Sequence, residues 1–178
     1  VEWSFADWGP KEGKWANIAP NTPLYKDGKI FFCHGYNING VMLQLSDDLK
    51  SVSVVWRTDV LDTHHGGYVE VNGTIYGSNW INNNQGNWCA IDWNTGAKGY
   101  ETTWTGGKGK GSIIAADGML YCYDERRGAV ALVNPDPAKF DIVSEFRITK
   151  GVGPHWAHPV IVNGVLYIRH GFALMAYK

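Results

Sequence analysis

The chain has 178 residues with 16 basic and 17 acidic side chains, a net charge of −1, and it holds nine Trp, nine Tyr and 22 Gly. Near-neutral charge leaves no electrostatic footprint for nucleic acid, and no apolar run is long enough to cross a bilayer. Three cysteines, Cys33, Cys89 and Cys122, with no Cys-x-x-Cys spacing, argue against a disulfide framework or a zinc site and read as buried small apolar residues.

In chain order, residues 1–8 begin with the alternating segment Val1-Glu-Trp-Ser-Phe5. A unit then recurs. Its anchor is a two-residue turn: Asp27-Gly28, Asn72-Gly73, Asp117-Gly118 and Asn163-Gly164, with glycines 45, 45 and 46 residues apart. Both central residues of a type I′ hairpin turn need positive φ, which Asn-Gly and Asp-Gly accept most readily. The first unit, 20–58, predicts strands at 24–26, 30–34, 41–45 and 52–58. The second, 62–104, predicts 68–71, 74–78, 87–92 and 100–104. The third, 109–149, predicts 112–116, 119–123, 129–133 and 142–148. The last, 155–178, predicts only 158–162, 165–170 and 172–178. No helix longer than one turn is expected.

A fixed period of this length marks a repeat architecture, and four-stranded units set side by side are blades of a β-propeller. The predicted fold is all-β, a single module of four antiparallel blades. Trp3 occupies the place that Trp56, Trp104 and Phe146 hold on the fourth strands, so residues 1–8 are expected to supply the fourth strand of the closing blade. Those aromatics are expected to fill the wedges between blades. Four blades are few for a closed ring, and an open arc exposes apolar faces. The chain therefore reads as part of a larger propeller, or as half of a homodimer that completes one.

Strand direction gathers the polar residues. The start of the first strand and the end of the second lie at one rim, and the hairpin turns lie at the other. His64, His65, His155 and His158 precede or begin first strands, while His34 and His170 end second strands. All six fall at one rim, with Arg126, Arg127, Arg169, Asp62 and Glu125 nearby. That rim is a candidate site for a small polar or anionic ligand, the arginines gripping carboxylates in bidentate fashion. The alternative is structural: histidines at these positions hydrogen-bond the next blade and fix its loop. Gly106-Gly-Lys-Gly-Lys-Gly-Ser112 has the wrong order for a phosphate loop and reads as a flexible connector. Asp124-Glu-Arg-Arg127 reads as a solvated loop, and Trp156 with Pro159 as a packed corner.

One motif carries a family likeness. Ala90-x-Asp92-x-x-Thr95-Gly96-x-x-x-Tyr100 resembles the tryptophan-docking repeat of quinoprotein alcohol dehydrogenases and related pyrroloquinoline-quinone-like propellers, with Tyr100 in the place of the Trp. His64-His65-Gly66-Gly67 and His155-Trp156-Ala157-His158-Pro159 resemble a bacterial branch of the same propellers. The resemblance implies a periplasmic or extracellular location. It leaves two functions open: a binding or scaffold propeller, like the barrel-assembly lipoproteins of the bacterial envelope, or an alcohol or sugar dehydrogenase using pyrroloquinoline quinone with calcium. Dehydrogenases of the family have an adjacent Cys–Cys pair, which this sequence lacks. Beyond that resemblance the cofactor is unknown, and no metal ligand set is legible.

Overall fold

The computed structural model describes residues 2–7, 18–107 and 109–178. Among them are fifteen strands and no helix. Blade one comprises β1 (Leu24–Lys26), β2 (Lys29–Cys33), β3 (Gly40–Leu45) and β4 (Val52–Thr58). Blade two comprises β5 (Tyr68–Val71), β6 (Thr74–Ser78), β7 (Trp88–Asp92) and β8 (Lys98–Thr102). Blade three comprises β9 (Gly111–Ala116), β10 (Met119–Asp124), β11 (Ala129–Asn134) and β12 (Asp141–Arg147). Blade four has three strands, β13 (Val160–Val162), β14 (Val165–His170) and β15 (Ala173–Tyr177). Each sheet is a simple antiparallel meander.

The hairpin chemistry sets the register. Asp27, Asn72, Asp117 and Asn163 have φ of 50–52°, and the glycine after each is also positive, as the I′ turn requires. In the three full blades the ladder between third and fourth strands shifts once, at Met42/Leu43, Ala90/Ile91 and Leu132/Val133. A bulge there increases the twist of the outer strand. It also displaces β8 from the expected 100–104: the strand starts at Lys98 and ends at Thr102, so Trp104 lies beyond the ladder.

Period-two alternation produces the radial packing. On β7, Cys89 and Ile91 face blade one while Trp88 and Ala90 face blade three. The first seam joins Phe31, Cys33 and Met42 to Tyr68, Ile75 and Trp93. The second joins Tyr76, Trp88 and Trp104 to Ile113, Leu120 and Cys122. The third joins Tyr123, Val130 and Ile148 to Ile168, with Met175 and Tyr177 packed against it. Trp56 and Trp104 fill wedges as expected, whereas Phe146 is 39% exposed and rests on Tyr177. All three thiols are free and buried within these seams.

The expected closing strand at 1–8 lies partly outside the described residues. Among the described residues 2–7 there is no strand, Phe5 lies edge-on to Phe32, and the Asp7 carbonyl accepts from Arg57 at 2.5 Å. The segment takes the partners nearest in sequence, on blade one. The outer face of blade four stays open, with Val160, Val162 and Leu174 at 52%, 49% and 70% exposure.

The docking motif acts as a local brace. One Asp92 carboxylate oxygen accepts from the amides of Asn94 (2.9 Å) and Thr95 (2.8 Å) and from the Thr95 hydroxyl (2.8 Å). Partial burial opposes ionisation of Asp92, but these bonds outweigh it and hold the carboxyl below its ordinary range. Gly96 has φ 71°, and a Cβ there would sit 2.7 Å from the Trp56 ring. That position needs glycine both for backbone conformation and for close approach of the neighbouring blade.

Candidate functional site

The loops before the first strands and after the second strands converge on an open cavity of 590 Å³. It is bordered by Pro20, Tyr36, His64, His65, Asn83, Lys110, Glu125 and Trp156, so all four blades contribute. Four of these share one place in the repeat: Pro20, His65, Lys110 and Trp156 each stand eight residues before a turn glycine. Equivalent side chains meeting around one hollow is what radial stacking of the units produces.

Lys110 and Glu125 form the floor. Lys110 Nζ lies 2.5 Å from Glu125 Oε1, and both side chains are 5% exposed. The ammonium also donates to the carbonyls of Asn82 (3.2 Å) and Asn83 (3.1 Å), tying the 82–85 loop to blade three. The second Glu125 oxygen lies 3.0 Å from His65 Nε2. Burial alone would raise the Glu125 pKa, but the contacts from His65 and Lys110 outweigh it and hold the carboxyl below its ordinary range. The sequence reading missed this pair by taking 106–112 for a flexible connector and 124–127 for a solvated loop. Asp124 and Glu125 are 0% and 5% exposed and Lys110 is 4%. The signal available was the repeat itself, since Lys110 occupies the offset of His65.

His64 and Tyr36 form one wall. The Tyr36 hydroxyl and His64 Nε2 are 2.9 Å apart. Burial first, then the neighbouring His65 and Lys110, lowers the His64 pKa to about 4, with Glu125 opposing. Tyr36 sits in a loop of unusual backbone: Tyr36, Asn37 and Asn39 have φ of 61°, 61° and 74°. Left-handed non-glycine residues persist only where surroundings hold them. Here the Asp62 carboxylate accepts from the Gly35 amide at 2.6 Å. Burial raises the Asp62 pKa, and the amides of Gly35, Asn37 and Asn39 pull against it.

The six histidines do not form one cluster. His64 and His65 border the cavity. His158 stands behind them, with Nε2 3.0 Å from the His65 carbonyl and its ring against Gly67. His34, 1% exposed, is packed below the wall with its Nδ1 3.2 Å from the Gly35 carbonyl. His155 and His170 make a separate stack, centroids 3.6 Å apart, with His155 Nδ1 2.5 Å from the Tyr123 hydroxyl. Both His170 ring nitrogens lie 2.7 Å from backbone carbonyls, of Lys150 and Gly153. These two fix the loop leading into blade four.

The arginines lie elsewhere. Arg126 and Arg127 border a groove of 620 Å³ beside Trp104 and Gly107, and Arg126 donates to the Asn84 side chain. Arg169 is exposed and donates to the Gly171 carbonyl at 3.0 Å. Trp156, expected in a packed corner, is 57% exposed at the cavity lip. Among the described residues, no group of three or more His, Cys, Asp or Glu side chains is placed to hold a metal ion.

No family model matches the chain, and no curated protein matches it by sequence. Solved structures do. BamB from Moraxella catarrhalis is 16% identical with a TM-score of 0.64, over 88% of this chain and 43% of that one. A quinohemoprotein alcohol dehydrogenase from Pseudomonas putida HK5 is 16% identical with a TM-score of 0.61, over 84% of this chain and 28% of that one. This chain thus spans less than half the length of either protein. At such identity the likeness is one of fold, and it agrees with the docking motif at Ala90–Tyr100. The chain has a β-propeller fold, similar to that of these two proteins.

Proposed function

We propose that the chain is a binding module of the bacterial cell envelope, in which the axial cavity takes a small, uncharged polar ligand. The observation that carries this reading is the convergence of Pro20, His65, Lys110 and Trp156, one from each blade, on a single open cavity. Its size is in the range of small-molecule sites. The charge balance selects for a neutral guest: the buried Lys110 is matched by Glu125, and Arg126, Arg127 and Arg169 lie outside the cavity. Among the described residues, an anion therefore meets a carboxylate whose lysine partner is already engaged.

Pyrroloquinoline quinone with calcium, the cofactor of the family's dehydrogenases, does not fit these residues. The quinone carries three carboxylates, while the cavity's ammonium is already neutralised by Glu125. Calcium needs six to eight oxygen ligands, and Glu125 is the only carboxylate among the described cavity-lining residues. Titration of the quinone with calcium, followed by absorbance and melting temperature, tests this. Neither saturation nor alcohol-dependent dye reduction is expected; both together would restore the dehydrogenase reading.

The open face of blade four supports a further part of the proposal. Val160, Val162 and Leu174 form an apolar patch on a sheet, which is an association or aggregation hazard when left bare. The chain covers 43% of the BamB chain, so two copies approach one such length. A second copy, joined head to tail, covers the face and extends the ring. Light scattering that gives a well-folded monomer at micromolar concentration refutes the dimer.

A further inference from the structure

Five aromatic rings run side by side along the cavity. Trp80 lies against Tyr36 (centroids 5.0 Å), Tyr36 against His64 (4.5 Å), His64 against His65 (4.9 Å) and His65 against Trp156 (5.3 Å). Neighbouring planes are inclined by 55–67°, so the rings make a curved wall rather than a parallel-sided slot. A second hollow of 620 Å³ adjoins, bordered by Tyr36, Trp80 and the polar loop Asn82-Asn-Asn-Gln85. Tyr36 and Asn83 border both hollows, so the two adjoin across these side chains.

We propose that this cleft binds a short neutral oligosaccharide, with sugar faces on Trp156 and Trp80 and hydroxyls on the 82–85 amides and the Glu125–His65 pair. The proposal rests on the cavity being a ligand site. A pyranose has two faces of C–H groups and a rim of hydroxyls. It is recognised where aromatic faces alternate with amides and carboxylates, whose donors and acceptors match a hydroxyl's dual character. The cleft supplies both in alternation. A flat aromatic guest needs two parallel walls, and no adjacent pair of these rings provides them. A charged guest meets the matched Lys110–Glu125 pair and, at neutral pH, an uncharged His64. Length favours an oligomer, because the two hollows adjoin and each is large enough for a small molecule. Trp156, 57% exposed at the lip, presents an indole to solvent beside the His65 ring.

The test is calorimetric titration of the 178-residue chain with maltose, cellobiose, xylobiose and N,N′-diacetylchitobiose, with citrate and calcium-loaded pyrroloquinoline quinone as probes of other classes. At least one disaccharide is expected to saturate. Trp156→Ala and Trp80→Ala are each expected to weaken it about five- to tenfold, the scale of one aromatic contact, with melting temperature unchanged for the exposed Trp156. If only citrate or the quinone saturates, and His65→Ala abolishes it, the sugar assignment falls while the cavity stands. Saturation by no probe, or disaccharide binding indifferent to Trp156→Ala, Trp80→Ala and His65→Ala alike, overturns the assignment and the cavity reading together.

Discussion

His64 gives the fold a specific acid weakness. Its imidazole is lowered from 6.5 to about 4, by burial first and then by the neighbouring His65 and Lys110. In the unfolded chain the same ring binds a proton below about 6.5. Between those values the unfolded state holds a proton that the folded state refuses, so stability is whole above pH 6.5 and is lost as pH falls toward 4. At about 1.4 kcal/mol per unit the full shift is worth roughly 3 kcal/mol; the ring is partly solvated, and screening reduces this to roughly 1–2 kcal/mol. Urea unfolding of the wild type and His64→Gln at pH 7.5, 6.5, 5.5 and 4.5 isolates the effect. Glutamine keeps an amide for the Tyr36 hydroxyl but cannot titrate. His155 is also lowered, by burial and by His170, and loses stability over part of the same range. It is present in both proteins, so it cancels in the difference. The wild type is expected to lose ~1–2 kcal/mol more than the variant between pH 7.5 and 4.5. Parallel pH profiles for the two proteins would refute the reasoning, as would an NMR titration of the His64 ring centred near 6.5.

Other perturbations read different layers of the structure. Lys110→Met leaves Glu125 buried beside only His65, and is expected to cost about 3–5 kcal/mol; adding Glu125→Gln should recover part of the loss, and a melting curve no better than the single variant would count against a buried pair. Gly96→Ala meets the Trp56 ring at 2.7 Å in addition to φ 71°, whereas Gly73→Ala has φ 83° and nothing within 4 Å. Gly73→Ala is expected to cost about 1–2 kcal/mol of backbone strain alone, and Gly96→Ala clearly more; equal losses by denaturant titration would remove the claim that blade one packs on that turn. Burial raises the Cys33 and Cys89 thiols and holds Cys122 well above its usual range. An aromatic disulfide reagent at pH 8 should label no thiol in native protein and three in urea, and fast native labelling would contradict seams closed to solvent.

The blades were legible because two independent local signals agreed. Asn-Gly and Asp-Gly turns fix where each first hairpin reverses, and alternation on segments such as 87–92 fixes which side chains enter which seam. With both in register, strand assignments shifted by at most a residue or two in most elements, the clear exception being β8, where the bulge at Ala90/Ile91 moves the ladder toward Lys98. The opening segment differs, with no strand among the described residues 2–7. The likeness of Trp3 to Trp56, Trp104 and Phe146 assigns the segment to the closing blade, whereas Phe5 lies against Phe32 of blade one.

The candidate site was half legible, and the missing half has a geometric cause. Position within a repeat gives height along the propeller axis, so all six histidines were placed at one rim. It gives neither the angle around the axis nor the distance from it. His155 and His170 share a height with His64 and His65, yet they meet each other at 3.6 Å beside Tyr123 of the third seam. Comparing offsets across repeats supplies the lost angle. Eight residues before the turn glycine stand Pro20, His65, Lys110 and Trp156; seven after it stand Gly35, Trp80, Glu125 and Gly171. The first set borders the cavity in full, and the second contributes Glu125 to its floor and Trp80 to the adjoining hollow. No side chain repeats within the first set. A backbone of fourfold repetition would tolerate the same residue at each offset, and for packing alone four similar residues would serve. One proline, one imidazole, one ammonium and one indole instead make a cavity with no internal symmetry, which is what a site needs if its ligand is to bind in one orientation.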